Sequence, residues 1–303
     1  MADDLAERSS MKTRLAALIL ALLSLPPLAL SLSGREWDVP VAIAGPFLLP
    51  AIFSTLALLA FATLLDTLTF HRTGHSLLHS QRSYLLWNCV AGAVAGTLLA
   101  YLNLFAGTWF TPAGSVTQAL LFAALCGTVL LPAILITRLW LAGLPGVVRL
   151  STRRFALPAI PPEMTAKLLL LAALTGLIAG TIWIDRLSWL FWLAPLLLLA
   201  ALQLLWHEST VFSGLAQGDW SRVLLGTISG IVAGSIALAA YRLSGGAIYL
   251  AASTWQLVAG LSVFGLLCLQ IGDALAEGWR GKNRSDIFKK KPFPIPVVSK
   301  KDQ

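Results

Sequence analysis

Eight long apolar runs constrain this chain more than any other feature of its sequence. A helix needs about 20 mostly apolar residues to cross about 30 Å of hydrocarbon, and these runs approach or exceed that length. Because an unpaired backbone group in a bilayer costs several kcal/mol, such runs must be helical. The predicted spans are 14–33, 41–65, 83–105, 117–137, 167–184, 188–206, 223–241 and 247–271.

The composition excludes a water-soluble globular fold. Charged residues make up 12% of the 303 residues and hydrophobic residues 57%, whereas an ordinary soluble domain has about 25% charged residues. The mean hydropathy of +0.79 also excludes a disordered chain, and three cysteines are too few for a disulfide scaffold. The sequence therefore predicts an all-α fold, a polytopic transmembrane helical bundle with eight spans.

The distribution of positive charge sets the predicted orientation. With eight spans, the loops and termini on one side hold 19 of the 22 Lys and Arg residues, and the other side holds three. Basic residues concentrate on the cytoplasmic side, so we expect a bacterial inner-membrane protein with both termini in the cytoplasm. Residues 1–13 are the expected N-terminal segment, 14–272 the membrane domain and 273–303 a basic, disordered tail. The first run also resembles a signal peptide, whose removal would leave seven spans.

A short motif recurs three times along the chain. The string G-x-[VI]-A-G-[TS] lies in the third, fifth and seventh predicted spans, each of which leaves the cytoplasmic side. We infer three parallel-related hairpin repeats near 83–137, 167–206 and 223–271. Glycines four residues apart share a helix face and let two helices approach closely. We expect helix packing at Gly92, Gly96, Gly176, Gly180, Gly230 and Gly234, with a substrate groove as the alternative.

The four histidines are the candidate metal ligands. His71, His75 and His79 would line one face of a helix, and His207 is expected on the same side of the membrane. Histidines at this spacing can chelate a metal ion, but Gly74 weakens a local helix and no carboxylate cluster accompanies them. A solvated, interfacial role is therefore favoured over a metal site. No histidine lies inside a predicted span, which argues against an intramembrane haem, and we expect no cofactor.

Two pairs of residues are candidates for a substrate pathway. Trp255 and Gln256 are adjacent inside the last predicted span. Asp185 and Arg186 follow the fifth span at the expected outer face, where a surface ion pair is the simpler interpretation. Ionisable residues inside a bilayer are costly and usually functional. Here Asp66 and Asp273 fall at the ends of predicted spans, which lowers the expectation of an ion-coupled pump.

The sequence carries no evident catalytic motif. It has no P-loop, HExxH or CxxC, so a non-enzymatic role is favoured over an enzymatic one, and the question stays open. A non-catalytic membrane subunit or scaffold of a larger assembly is favoured, and a carrier for a neutral or amphiphilic small molecule or lipid is the alternative. A metal-dependent enzyme using the histidines is the third possibility. Expected partners are the bilayer, anionic lipids at the cytoplasmic face and proteins of a membrane complex. Nucleic acid is not expected, because basic loops beside a membrane explain the net charge of +8.

Overall fold

The protein is described here by a computed structural model that covers residues 22–23, 26, 48–110, 115–147, 155–158, 160–251 and 253–280. Within these residues the architecture is helical, with seven helices long and apolar enough to cross a membrane. The helices are α1 (Leu48–Thr73), a short α2 (Leu77–Ser80), α3 (Arg82–Ala106), α4 (Val116–Ala142), α5 (Pro162–Ile182), α6 (Ile184–Leu205), α7 (Ser221–Leu243) and α8 (Thr254–Arg280).

Seven of the eight predicted spans correspond to one long helix each. Of the first predicted span, 14–33, the described residues include Leu22, Leu23 and Pro26. Leu22 is buried among residues of α3, α5 and α6, and the hydroxyl of Tyr101 donates to the carbonyl of Leu23 at 2.9 Å. The predicted tail lies outside the described residues from residue 281 onward.

Three predicted span boundaries are wrong by about two helical turns or more. α1 continues past Leu65 to Thr73, because helical hydrogen bonding is not interrupted by the polar residues that alternate with Leu68 and Phe70. α8 begins at Thr254 rather than at residue 247, because Tyr249 and Leu250 form a strand instead, and it continues past residue 271 to Arg280. The aspartates predicted at span ends, Asp66 and Asp273, therefore lie inside α1 and α8.

Helix α4 is the centre of the bundle. Its residues 131–137 are all buried, and because this run is longer than one turn of 3.6 residues, α4 is enclosed on every side at that level. It contacts α1, α3, α7 and α8. The α5–α6 pair joins the remainder chiefly where α6 meets α8. The main apolar core consequently lies between α1, α4, α6, α7 and α8.

The two ends of the bundle differ in chemistry. We call one the charged end, where α1, α4, α6 and α8 finish and where Arg222 pairs with Asp273. We call the other the ladder end, where strand β1 (Trp109–Phe110) pairs antiparallel with strand β2 (Tyr249–Leu250). This small ladder ties the α3–α4 connection to the α7–α8 connection.

A buried amide organises the ladder end. Asn103 lies in the last turn of α3, which ends at Gly107 in the left-handed conformation. Its Oδ1 accepts hydrogen bonds from the amide and hydroxyl of Thr108, at 3.1 and 2.8 Å. Its Nδ2 donates to the carbonyl of Trp109 at 2.7 Å. One side chain thus orients the chain as it enters β1.

Candidate functional site

The motif glycines of α3 lie against α4. A Cβ placed on Gly92 would collide with the carbonyl of Gly127 and come within 3.0 Å of the Leu131 Cβ. A Cβ on Gly96 would lie 3.2 Å from the Gly127 Cα and collide with the carbonyl of Ala123. The two helix backbones are therefore in direct contact, and this seam has no space for a ligand.

The same arrangement occurs between α7 and α8. A Cβ on Gly230 would lie 2.6 Å from the Cα of Gly265, and Gly265 follows Gly230 at the same separation as Gly127 follows Gly92. A Cβ on Gly234 would collide with the side chain of Leu261. The α3–α4 and α7–α8 hairpins thus close on glycines in equivalent register.

The α5–α6 hairpin closes differently. A Cβ on Gly176 would lie 2.6 Å from the carbonyl of Leu190 and 3.1 Å from the Ala194 Cβ, and one on Gly180 would lie 2.8 Å from the Phe191 Cβ. Trp183 is the single residue between the two helices. The one-residue turn brings these helices together, although α6 contains no glycine opposite Gly176 and Gly180.

The prediction that Trp255 and Gln256 lie deep inside a span is wrong. Both occupy the first turn of α8, and Trp255 is 84% exposed. The Gln256 Oε1 accepts the amide of Ser253 at 2.8 Å, while the Ser253 Oγ accepts the amide of Gln256 at 3.4 Å. This reciprocal pair is a capping box, so in this structure Gln256 starts a helix.

Asp185 and Arg186 lie at the ladder end, in the first turn of α6. Both side chains are exposed, as are those of Trp183 and Trp189. A carboxylate in the first turn of a helix interacts favourably with its dipole. Exposed tryptophans are typical of the membrane–water boundary.

The histidines do not line one helix face. α1 ends at Thr73, and Gly74 turns the chain with a φ of 72°. His71 therefore belongs to α1, His75 to the turn and His79 to α2. His207 is in the left-handed conformation, with a φ of 57°, just after α6. Among the described residues, which include all four histidines, no three His, Cys, Asp or Glu side chains are grouped to hold a metal ion.

Sequence reasoning missed a cluster of charged residues inside the helices at the charged end. The guanidinium of Arg222, in the first turn of α7, donates to the carboxylate of Asp273 on α8. Their side chains are 19% and 21% exposed. Arg138 of α4 interacts electrostatically with both. The Asp273 carboxylate is thus paired with Arg222 of α7 and interacts electrostatically with Arg138 of α4.

Further bonds to α8 surround this cluster. The Tyr84 hydroxyl of α3 donates to the carbonyl of Gly272 at 3.0 Å. Buried Gln270 donates to the side-chain oxygen of Gln203 on α6, and it accepts the amide of Val211 at 3.0 Å. The Ser209 hydroxyl donates to the Glu277 carboxylate at 2.8 Å. α8 thereby fastens α3, α6 and the α6–α7 loop together.

The sequence contained a signal for the row of polar residues on α8. Gln270, Asp273 and Glu277 recur at the three- and four-residue spacing that places side chains on one face of a helix. Because the predicted span stopped at residue 271, these three residues were divided between a predicted span and a predicted tail.

The start of α7 is held by a separate pair of hydrogen bonds. Ser221 donates its amide and its hydroxyl to the Asp219 carboxylate, and these hydrogen bonds hold the pKa of Asp219 below its usual value.

A second polar site lies at the elbow between α1 and α3. The buried Asp66 side chain has 0% exposure, and its Oδ1 accepts the amides of Leu77 and Leu78 at 3.0 and 3.2 Å. Its Oδ2 lies 3.4 Å from the Nδ1 of His79. The carboxylate therefore holds the short α2 against α1.

Comparison with known proteins assigns no role to these residues. No protein-family model matches the chain, and neither a curated protein nor a solved structure matches it. Seven apolar helices indicate a membrane protein, and its role must be inferred from its own residues.

Proposed function

We propose that the chain is a non-catalytic, multi-pass subunit or scaffold of a bacterial inner-membrane assembly, with both termini in the cytoplasm. One observation carries the proposal: in the α3–α4 and α7–α8 hairpins the motif glycines put two backbones in direct contact. Small residues at a helix interface allow close van der Waals packing, which drives association within lipid. Such packing suits a rigid framework better than a groove for substrate.

The charged end supports the same role. α8 joins three other parts of the bundle through Gln270, Asp273 and Glu277. Buried polar contacts between membrane helices specify which helices associate, at about 0.6 kcal/mol for an average hydrogen bond. Helices held at both a glycine seam and a polar contact resist relative motion, as a scaffold requires.

The proposal is tested by asking whether the chain holds a fixed partner in its own membrane. The tagged chain, expressed from its own locus, is isolated in mild detergent from isotopically labelled cells that have been mixed with unlabelled, untagged cells before lysis. We expect a partner in constant stoichiometry that is fully labelled, because it was bound before lysis. A chain that is recovered alone, or only with half-labelled proteins that joined after lysis, contradicts the scaffold.

A carrier for a neutral or amphiphilic molecule is the second candidate. The observation that favours it is the cluster of Arg138, Arg222 and Asp273 within the helices, since charged residues inside membrane segments often mark a transport pathway. Proteoliposomes assayed for glycerol entry and for dithionite-accessible fluorescent phosphatidylglycerol test it. A carrier moves one of these probes and slows with Asp273→Asn but not with Arg186→Gln; a scaffold moves neither.

A further inference from the structure

The elbow between α1 and α3 carries two adjoining open cavities, the larger with a mixed polar and apolar lining and the smaller with a mainly apolar one. The larger, of about 650 Å³, is lined by Ser80, Gln81, Ser83, Tyr84 and, from α8, Ala276. The smaller, of about 400 Å³, is lined by Leu78, Leu85 and Leu86. His79 and Arg82 line both. A cavity of mixed lining therefore continues into a mainly apolar one, with the side chains of His79 and Arg82 at their junction.

The residues at the junction are held in place by the fold. The Nδ1 of His79 lies 2.9 Å from the Ser76 Oγ and 3.4 Å from the Asp66 Oδ2, and its ring stacks on Phe70 with centroids 4.4 Å apart. The Nε of Arg82 donates to the carbonyl of Leu78 at 3.1 Å. Asp66, with 0% exposure, lines neither cavity and supports the histidine from behind.

The polar side chains that line the larger cavity fit a phosphate group. Arg82 is outside the two ion pairs found among the described residues. A guanidinium can bind two phosphate oxygens at once through parallel N–H donors, and the hydroxyls of Ser80 and Ser83 are further potential donors. The cavity volume falls within the usual range of small-molecule sites, about 300–1,000 Å³.

The apolar cavity fits a hydrocarbon chain. Leu86 is 65% exposed on the surface of α3, which is one of the seven helices apolar enough to cross a membrane. The cavity therefore opens where a bilayer would surround the helix, next to a cationic residue at the helix end. An amphiphile with an anionic headgroup matches both cavities, and a soluble anion matches only the larger one.

We propose that this elbow binds one anionic phospholipid, with its phosphate at Arg82 and His79 and an acyl chain along Leu78, Leu85 and Leu86. Basic recesses between membrane helices are known to bind anionic headgroups. The site is independent of whether the chain is a scaffold or a carrier. It goes beyond a general attraction of the basic face for acidic lipids, because it assigns the contact to one arginine.

The test is native mass spectrometry of the delipidated full chain, titrated with dioleoyl phosphatidylglycerol or, for comparison, dioleoyl phosphatidylcholine. We expect preferential binding of phosphatidylglycerol and about a tenfold weaker affinity in Arg82→Gln, the loss expected for a charge-assisted hydrogen bond of about 1.5 kcal/mol. Arg72→Gln is the matched control, because Arg72 lies in the last turn of α1 and lines neither cavity. Its affinity should be unchanged.

Three results overturn the proposal. Equal weakening in Arg72→Gln would indicate general surface charge, and equal binding of phosphatidylcholine would remove the anionic requirement. Displacement of the lipid by glycerol 3-phosphate at equal concentration would indicate a soluble anion site. If Arg82→Gln does not fold, Arg82→Met decides the question: it keeps an unbranched side chain but removes the charge, so unchanged affinity refutes the site and a weaker affinity supports it.

Discussion

Gly92 and Gly127 block each other: a Cβ on either residue would collide with the backbone carbonyl of the other. This reciprocity means that the α3–α4 distance is set by backbone contact and not by side chains. A methyl group added on either helix must therefore push the helices apart.

Gly127→Ala is expected to destabilise the protein by about 1–3 kcal/mol, the usual result of overpacking a filled interface. The free energy of unfolding in bicelles, measured by steric trapping, checks this. Gly260→Ala is the control, since a Cβ there meets no atom within 4 Å. Equal stability of the two variants would show that the α3–α4 seam is looser than described.

Asp273→Asn is expected to destabilise the charged end by about 1–2 kcal/mol. The reason is that Arg222 loses its ion-pair partner and Arg138 loses a favourable electrostatic interaction. The figure is below the 3–5 kcal/mol of a fully buried pair because the side chains of Arg222 and Asp273 are about one-fifth exposed. A double-mutant cycle with Arg222→Gln measures the coupling. Arg186→Gln, an exposed charge at the other end, should change little, and a coupling of zero would exclude the ion pair.

Cysteines at Trp109 and Leu250 are expected to form a disulfide. These residues are direct partners in the β1–β2 ladder, and directly opposed positions in antiparallel strands are within disulfide reach. The measurement is cross-linking by a mild oxidant in a background in which Cys89, Cys126 and Cys268 are alanine. Trp109→Cys with Tyr249→Cys is the control, because neighbouring residues in a strand point to opposite faces. Preferential cross-linking of the control pair would mean a different register.

The charged end is expected to face the cytoplasm. In the same cysteine-free background, Asp185→Cys at the ladder end should react with a membrane-impermeant maleimide in intact cells. His75→Cys, at the charged end, should react only after permeabilisation. Both positions are exposed, so accessibility to reagent decides the result, and the reverse pattern would invert the predicted orientation.

Much of the bundle followed from local sequence. Apolar runs identified seven helices, because the need to pair backbone groups in lipid acts within each segment. The start of α8 did not follow, since hydropathy does not register the Ser253–Gln256 capping box or the strand at Tyr249. The last turns of α1 and α8 did not follow either, because both helices continue through polar residues. Because of the error at the start of α8, Trp255 was predicted inside a span, whereas it lies exposed in the first turn of α8.

The candidate sites, too, were predictable only where they depend on residues close together in the sequence. The motif showed which helices carry paired glycines, since side chains four residues apart share a face of any helix. Only the tertiary structure brought Arg222 to Asp273, Gln203 to Gln270 and Asp66 to His79. The sequence by itself determined that most of this chain is suited to lipid rather than water, and which of its segments are helical. The partners of its polar residues were decided by packing, because they depend on which helices become neighbours after the segments have formed.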